Sequence, residues 1–164
     1  MPVWIARIVA WQAPRTLSNE HAAAAMVSGM PRSLMVSSVM IPTDVCVPIS
    51  RLAECVTETQ RDIAESRLIA PIVGHVGDGN FHCSLLCDVD DADEMARGED
   101  FMHRLVERAQ SMGGTCTGEH GVGQGKQKYL MAELGPEAID AMRALKVALD
   151  PQNIFNPGKI VPAA

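Results

Sequence analysis

The stretch Gly74-His75-Val76-Gly77-Asp78-Gly79-Asn80-Phe81-His82 decides how the chain reads. Apolar segments flank it, 69–73 before and 81–87 after, with turn-forming residues at its centre. Asp-Gly tolerates the positive φ of a tight hairpin, so the segment predicts two antiparallel strands, 69–76 and 81–87, joined at Asp78-Gly79. A two-residue turn there pairs 77 with 80, 76 with 81 and 75 with 82. His75 and His82 would then stand directly opposite each other, their Cβ atoms roughly 4.5–5.5 Å apart on one face. Val76, Phe81, Cys83 and Leu85 take the other face. The sheet so read has a core side and a side carrying His75, Asn80, His82 and Ser84.

Outward from the hairpin the pattern extends in both directions. Val45, Val47 and Ile49 alternate like a strand, which Pro48 ends. Ser50 is placed to cap a helix whose inner face is Leu52, Cys55, Val56, Thr59 and Ile63. Beyond the hairpin, Met95, Met102, Leu105, Val106, Ala109 and Met112 mark a long amphipathic helix that Gly113-Gly114 terminates. Residues 115–117 read as a short strand. Residues 122–132 and 136–149 read as two further helices, the second with Ile139, Met142, Leu145 and Leu149 on one stripe. Asp150-Pro151 stops it. Strand, helix, strand, strand, helix, strand and two helices predict an α+β class. The expected architecture is a ferredoxin-like antiparallel sheet with helices on one face, followed by C-terminal helices and a tail.

The chain has 164 residues and a formal net charge of −6, with 47% apolar residues, enough for one domain with a core. The acidic balance argues against a nucleic-acid partner, and aromatics at 4% argue against a base-stacking platform. No apolar run is long enough for a transmembrane segment. Residues 1–40 carry Arg7, Arg15, Arg32 and one acid, Glu20, so the formal charge splits as +2 there against −8 in the rest. Residues 1–43 are read as an atypical N-terminal segment and 44–164 as the domain. The acid-poor leader fits a mitochondrial-type targeting segment, or else a loosely packed extension. Cytoplasmic placement is expected, or mitochondrial in a eukaryote. Five cysteines contain no Cys-x-x-Cys pair and sit among apolar neighbours, which predicts buried, reduced thiols.

The chemistry gathers at two places. Paired imidazoles, His75 and His82, can share one metal ion, which takes them neutral. The alternative is a pair of surface histidines. Thr117-Gly118-Glu119-His120-Gly121-Val122-Gly123 supplies Glu119 as a third ligand, and three protein ligands leave a coordination position open. His120 beside them suits a general base. The alternative is a glycine-rich turn with solvated Glu and His. The ligand types suit zinc, manganese or iron without choosing between them.

Three separated motifs, GHVGDGNFH at 74–82, TGEHGVGQGK at 117–126 and DPQNIFNPGK at 150–159, together resemble the C-terminal part of FAD-linked D-lactate dehydrogenases. DVCVPISRL at 44–52 resembles that family's strand and helix start. These are flavoproteins of the vanillyl-alcohol-oxidase type, related to glycolate oxidase subunits. The resemblance implies oxidation of a small D-2-hydroxy acid to a 2-oxo acid, with hydride passing to FAD. It implies a cytochrome, quinone or electron-transfer flavoprotein as electron acceptor. It implies that His75, His82 and Glu119 hold a divalent metal, that His120 takes the hydroxyl proton near the flavin, and that Asn156 contacts the flavin. Family members carry most of the FAD on a preceding domain. The sequence is therefore expected to need a separate FAD-binding domain, or else to be an inactive metal-binding fragment.

Overall fold

The computed structural model describes residues 38–162. The leader positions named above, including Arg7, Arg15 and Arg32, lie outside the described residues. The elements are β1 (Ser38–Pro42), β2 (Val45–Cys46), α1 (Ile49–Ser66), β3 (Ile72–His75), β4 (Asn80–Asp88), α2 (Ala92–Ser111) and α3 (Gln127–Leu149). The sheet is antiparallel and centred on β4, which pairs with β1, β2 and β3. β1 and β2 run past β4 in one register. Pro42 meets Ser84 and Val45 meets Phe81, and Thr43 N donates to the Cys83 carbonyl in between. Thr115 bridges to Cys46. This is the expected ferredoxin-like plan, with the fourth strand reduced to a single bridge.

Strand alternation builds the core. Val45, Phe81, Cys83, Leu85 and Cys87 all turn to one face and are buried, as are Leu52 and Cys55 of α1 and Phe101, Leu105 and Ala109 of α2. Burying the valine, leucine and phenylalanine side chains among them contributes about 1.5–3 kcal/mol each. The two helices are also stapled by charge. Asp62 of α1 accepts from Arg104 Nη2 and Arg108 Nη2, each at 2.7 Å. Burial alone would raise the Asp62 carboxyl, but hydrogen bonds from Arg104, Arg108 and Ser66 outweigh it and hold it below the usual range. α2 starts at an Asp91 N-cap that accepts from Glu94 N at 3.0 Å, with Asp93 and Glu94 in the first turn and Arg108 in the last, matching the helix dipole at both ends.

Several local expectations are corrected. α1 begins after Pro48 with no side-chain cap, so Ser50 does not cap it. β1 occupies 38–42, where no strand was expected. The two C-terminal helices join across a kink at Gly135, which precedes Pro136, and the first begins at Gln127 rather than 122. On the last stripe Ile139 is buried, but Leu145 and Leu149 are 63% and 80% exposed. All five cysteines are free, four of them buried. Burial pushes the Cys83 thiol up to about 12, which leaves it inert.

The hairpin differs most. Val76–Asp78 form a turn of 3-10 helix, and Gly79 (φ 73°) closes it in the left-handed region. Four residues thus separate β3 from β4. His75 pairs with Asn80, and His82 pairs with Val73. The slip relative to the two-residue turn is two places. Side chains alternate with period two, so His75 and His82 stay on one face but as diagonal neighbours. Val76 leaves the core face and is exposed.

Candidate metal and proton-transfer site

β4 delivers His82 and β3 delivers His75 to the face of the sheet opposite the core. Their rings lie edge to face with centroids 6.1 Å apart. The segment after Thr115 crosses this face and covers it, so Asn80 and His82 are buried although they point away from the main core. That segment carries Glu119 and His120. Glu119 Oε1 lies 3.1 Å from His82 Nε2, and Glu119 Oε2 lies 3.7 Å from His75 Nε2. Donor atoms of His75, His82 and Glu119 all fall within 4.8 Å of one another. Two ligands about 2.1 Å from one tetrahedral ion stand about 3.4 Å apart, so the two distances to Glu119 bracket that value.

The tautomer of His82 sharpens this picture. His82 Nδ1 lies 3.0 Å from the Thr43 carbonyl, which can only accept. Nδ1 therefore carries the proton, and in the neutral ring Nε2 is a bare lone pair. That atom is buried, makes no hydrogen bond, and stands 3.1 Å from a carboxylate oxygen that lies off its axis. A bare nitrogen and a carboxylate oxygen 3.1 Å apart repel each other unless a proton or a metal ion lies between them. Metal-bound imidazoles characteristically donate their other N–H to a carbonyl, as His82 does here. The donor set and the orphaned nitrogen fit a divalent cation.

His120 joins the cluster without completing the ligand triangle. Its ring stacks on His82 with centroids 4.7 Å apart and planes 10° from parallel. His120 Nε2 stands 3.5 Å from Glu119 Oε1. Asn156 lies elsewhere, in the exposed tail with φ 47°, its carbonyl accepting from Lys159 N. The tail is tied to the loop that follows His120, because Ile160 N donates to the Gly123 carbonyl at 2.7 Å. It is folded upon Asp150, which accepts from Ile154 N and Phe155 N. His103 takes no part, sitting on α2 against Tyr129 and Glu107.

Sequence reasoning missed Asp44. Its side chain is fully enclosed, and Oδ2 accepts from Thr117 Oγ1 and from the backbone N–H groups of Gly118, Glu119 and His120. Asn80 Nδ2 donates to Oδ1 at 2.8 Å, and Lys126 Nζ stands 3.3 Å from Oδ2. Burial alone would raise this carboxyl. The bonds from His120 N, Thr117, Asn80 and Glu119 N outweigh it and hold the group well below the usual carboxylate range. No local signal marked it, because a charged residue before an apolar strand reads equally as a solvated strand-end acid until the fold supplies its buried partners.

With the geometry in view, the comparisons place the fold. The structure of 4-ethylphenol oxidase from Gulosibacter chungangensis superposes with a TM-score of 0.61 at 19% identity, covering 89% of this chain and 28% of that one, a likeness of fold. The family model for FAD linked oxidases, C-terminal domain, matches residues 13–160, and the chain belongs to that family. Among relatives, the probable mitochondrial D-lactate dehydrogenase of Danio rerio is 54% identical over 119 residues, covering 73% of this chain and 24% of that protein. The mitochondrial D-lactate dehydrogenase [cytochrome] of Arabidopsis thaliana is 48% identical over 120 residues, covering 73% and 21%. Glycolate oxidase subunit GlcD of Bacillus subtilis is 40% identical over 150 residues, covering 89% and 32%. The chain thus spans about a fifth to a third of the length of these curated relatives.

Proposed function

We propose that the chain forms the substrate and metal side of a FAD-dependent D-2-hydroxy acid dehydrogenase of the D-lactate type. The observation that carries the reading is the buried His82 Nε2, which makes no hydrogen bond and stands 3.1 Å from the Glu119 carboxylate, with His75 beside both. In this reading His75, His82 and Glu119 hold a divalent metal. When bound, the metal supplies positive charge at the substrate hydroxyl and carboxylate, and FAD supplies the acceptor for the hydride leaving C2. The Thr43 carbonyl keeps the His82 Nδ1 proton in place and so leaves Nε2 as the nitrogen that would hold the metal. His120 takes the hydroxyl proton at Nε2, the ring nitrogen on the Glu119 side. Stacking on His82 limits the His120 ring to one plane.

The flavin half belongs to a separate FAD-binding domain. Exposed Leu145, Leu149, Ile154 and Phe155 give that half an apolar surface to cover, with Asn156 at its edge toward the flavin. Electrons then pass to a cytochrome, a quinone or an electron-transfer flavoprotein. The name of the Arabidopsis relative supports a cytochrome-type acceptor, and the names of the Arabidopsis and Danio relatives support a mitochondrial setting in a eukaryote. No described helix is long and apolar enough to cross a membrane.

The test is the metal content of the purified chain beside His82→Ala, followed by D-lactate added to the cobalt-loaded protein. Near-stoichiometric metal that vanishes in the variant is expected, with a change in cobalt d–d absorption on adding D-lactate and a weaker one with L-lactate. Equal metal content in the two proteins, or no metal in either, overturns the metal assignment. A cobalt spectrum indifferent to D-lactate overturns the substrate assignment.

A further inference from the structure

The loop bearing Glu119 and His120 turns three consecutive amides inward. Gly118 N, Glu119 N and His120 N lie 2.9, 3.0 and 2.8 Å from one oxygen, Asp44 Oδ2. Thr117 Oγ1 adds a fourth bond to the same oxygen at 2.8 Å. Successive amides converging on one point are how a backbone loop binds an anion. Here the chain's own carboxylate fills that nest.

Asp44 is a rigid reference point. It lies between Thr43 and Val45, both buried, and the common register of β1 and β2 sets it level with His82 on β4. Its Oδ1 is 3.7 Å from His82 Nδ1 and accepts from Asn80 Nδ2 at 2.8 Å. The Glu119 and His120 side chains are half exposed, so their own packing does little to fix them. Their backbone is fixed, and Asp44 fixes it. One carboxylate therefore references both the strand that carries His82 and the loop that carries Glu119.

We propose that Asp44 is the positioning residue of the site: by filling the amide nest of residues 118–120 it sets where Glu119 and His120 stand relative to His82. The proposal rests on the reading of His75, His82 and Glu119 as a metal site. Asp44 touches neither metal nor substrate and acts through the loop. An asparagine at position 44 keeps the size but offers one acceptor atom where the carboxylate offers two. Either the loop amides or the Asn80 amide then faces a donor.

The test uses the full chain and compares wild type, Asp44→Asn and the near-isosteric Thr117→Val, which removes one of the five bonds to Oδ2, the fifth coming from Lys126 Nζ at 3.3 Å. Cobalt binding is followed by its d–d absorption, and amide hydrogen exchange is followed in the metal-free proteins. In Asp44→Asn the cobalt Kd is expected to rise about 10–100-fold, the range for groups that orient metal ligands. Protection is expected to fall at 118–120 but not at Phe101 or Leu105. Thr117→Val is expected to move both readouts less, in the same direction. A folded Asp44→Asn protein whose Kd stays within twofold of wild type overturns the proposal. If Asp44→Asn does not fold, an unchanged Kd and unchanged exchange at 118–120 in Thr117→Val overturn it. A wild type that binds no cobalt defeats the metal reading instead. Selective loss of protection at 118–120 in the variants then still supports Asp44 as the anchor of the loop, and unchanged exchange there still counts against it.

Discussion

Replacing Gly118 by alanine tests how tightly the site is built. A Cβ at this position would lie 1.9 Å from Asn80 Nδ2 and 2.9 Å from Asp44 Oδ1. Ordinary contact distance is about 3.5 Å, so the loop or the amide must retreat by about 1.5 Å. Asn80 cannot retreat without loss, because it is buried and its Nδ2 bonds Asp44 Oδ1 at 2.8 Å and the Val45 carbonyl at 3.0 Å. A retreat of the loop instead stretches the amide bonds to Asp44. Either route leaves at least one buried polar group unsatisfied, about 1–3 kcal/mol, on top of about 1–3 kcal/mol for overpacking. The total is about 2–6 kcal/mol, or a fall in Tm of roughly 6–18 °C for a chain of this size. Because Glu119 is the next residue, cobalt affinity should fall with it. The control is Gly77→Ala, two residues from His75, where a Cβ meets nothing within 4 Å. Thermal melts by circular dichroism and a cobalt titration measure both effects. A Gly118→Ala protein melting within 2–3 °C of wild type, a window of about 1 kcal/mol, would refute the close packing of loop, Asn80 and Asp44.

Three further outcomes follow from the same geometry. Zinc at about 100 times its Kd should stabilise the wild-type chain by about 2.7 kcal/mol, roughly 8 °C in Tm, and His82→Ala should show no such shift; equal shifts in calorimetry would place the ion elsewhere. The depressed Asp62 carboxyl contributes fully above its unfolded pKa of about 3.9 and loses that contribution as pH falls through its lower folded value. Urea unfolding should therefore show stability falling as pH drops below about 4, with a shallower fall in Asp62→Asn, and identical slopes would contradict the Arg104–Asp62–Arg108 staple. Phe101→Ala, at a fully enclosed position, should cost about 3–5 kcal/mol, whereas Leu145→Ala, largely exposed, should stay within about 0.5 kcal/mol in denaturant titrations. A similar cost at both sites would mean that the α3 stripe is packed in solution.

Much of the fold was legible because its signals are local. Leu52, Cys55 and Thr59 repeat at helical spacing and are buried on α1. Leu105, Val106 and Ala109 do the same on α2, and the alternation of Phe81, Cys83 and Leu85 gives the buried face of β4. What failed depended on distant partners. The hairpin looked like a two-residue turn, yet Val47 N donates to the Gly79 carbonyl at 3.0 Å, and a Cβ on Gly79 would meet the Val47 carbonyl oxygen at 2.0 Å. A contact some thirty residues away therefore helps set the turn and its register, and turn propensity alone does not encode it. β1 was missed for a similar reason: its strand character comes from pairing with residues 84–88, not from alternation of its own.

The site survived the register error because the slip is even. An odd slip would have put His75 and His82 on opposite faces of the sheet. Period-two alternation thus protected the grouping of His75 and His82, even though the opposed pairing was wrong. Glu119 was legible from residue type and from its loop between a strand and a helix. Asp44 was not, because nothing in its own neighbourhood distinguishes a buried anchor from a strand-end acid. Its role appears only when the fold brings residues 117–120 over it, a separation of more than seventy residues. The chemistry-bearing residues of this site were readable from their types. The residue that fixes their geometry was readable only from the hydrogen bonds it collects, so mutational scans guided by motif alone would leave it out.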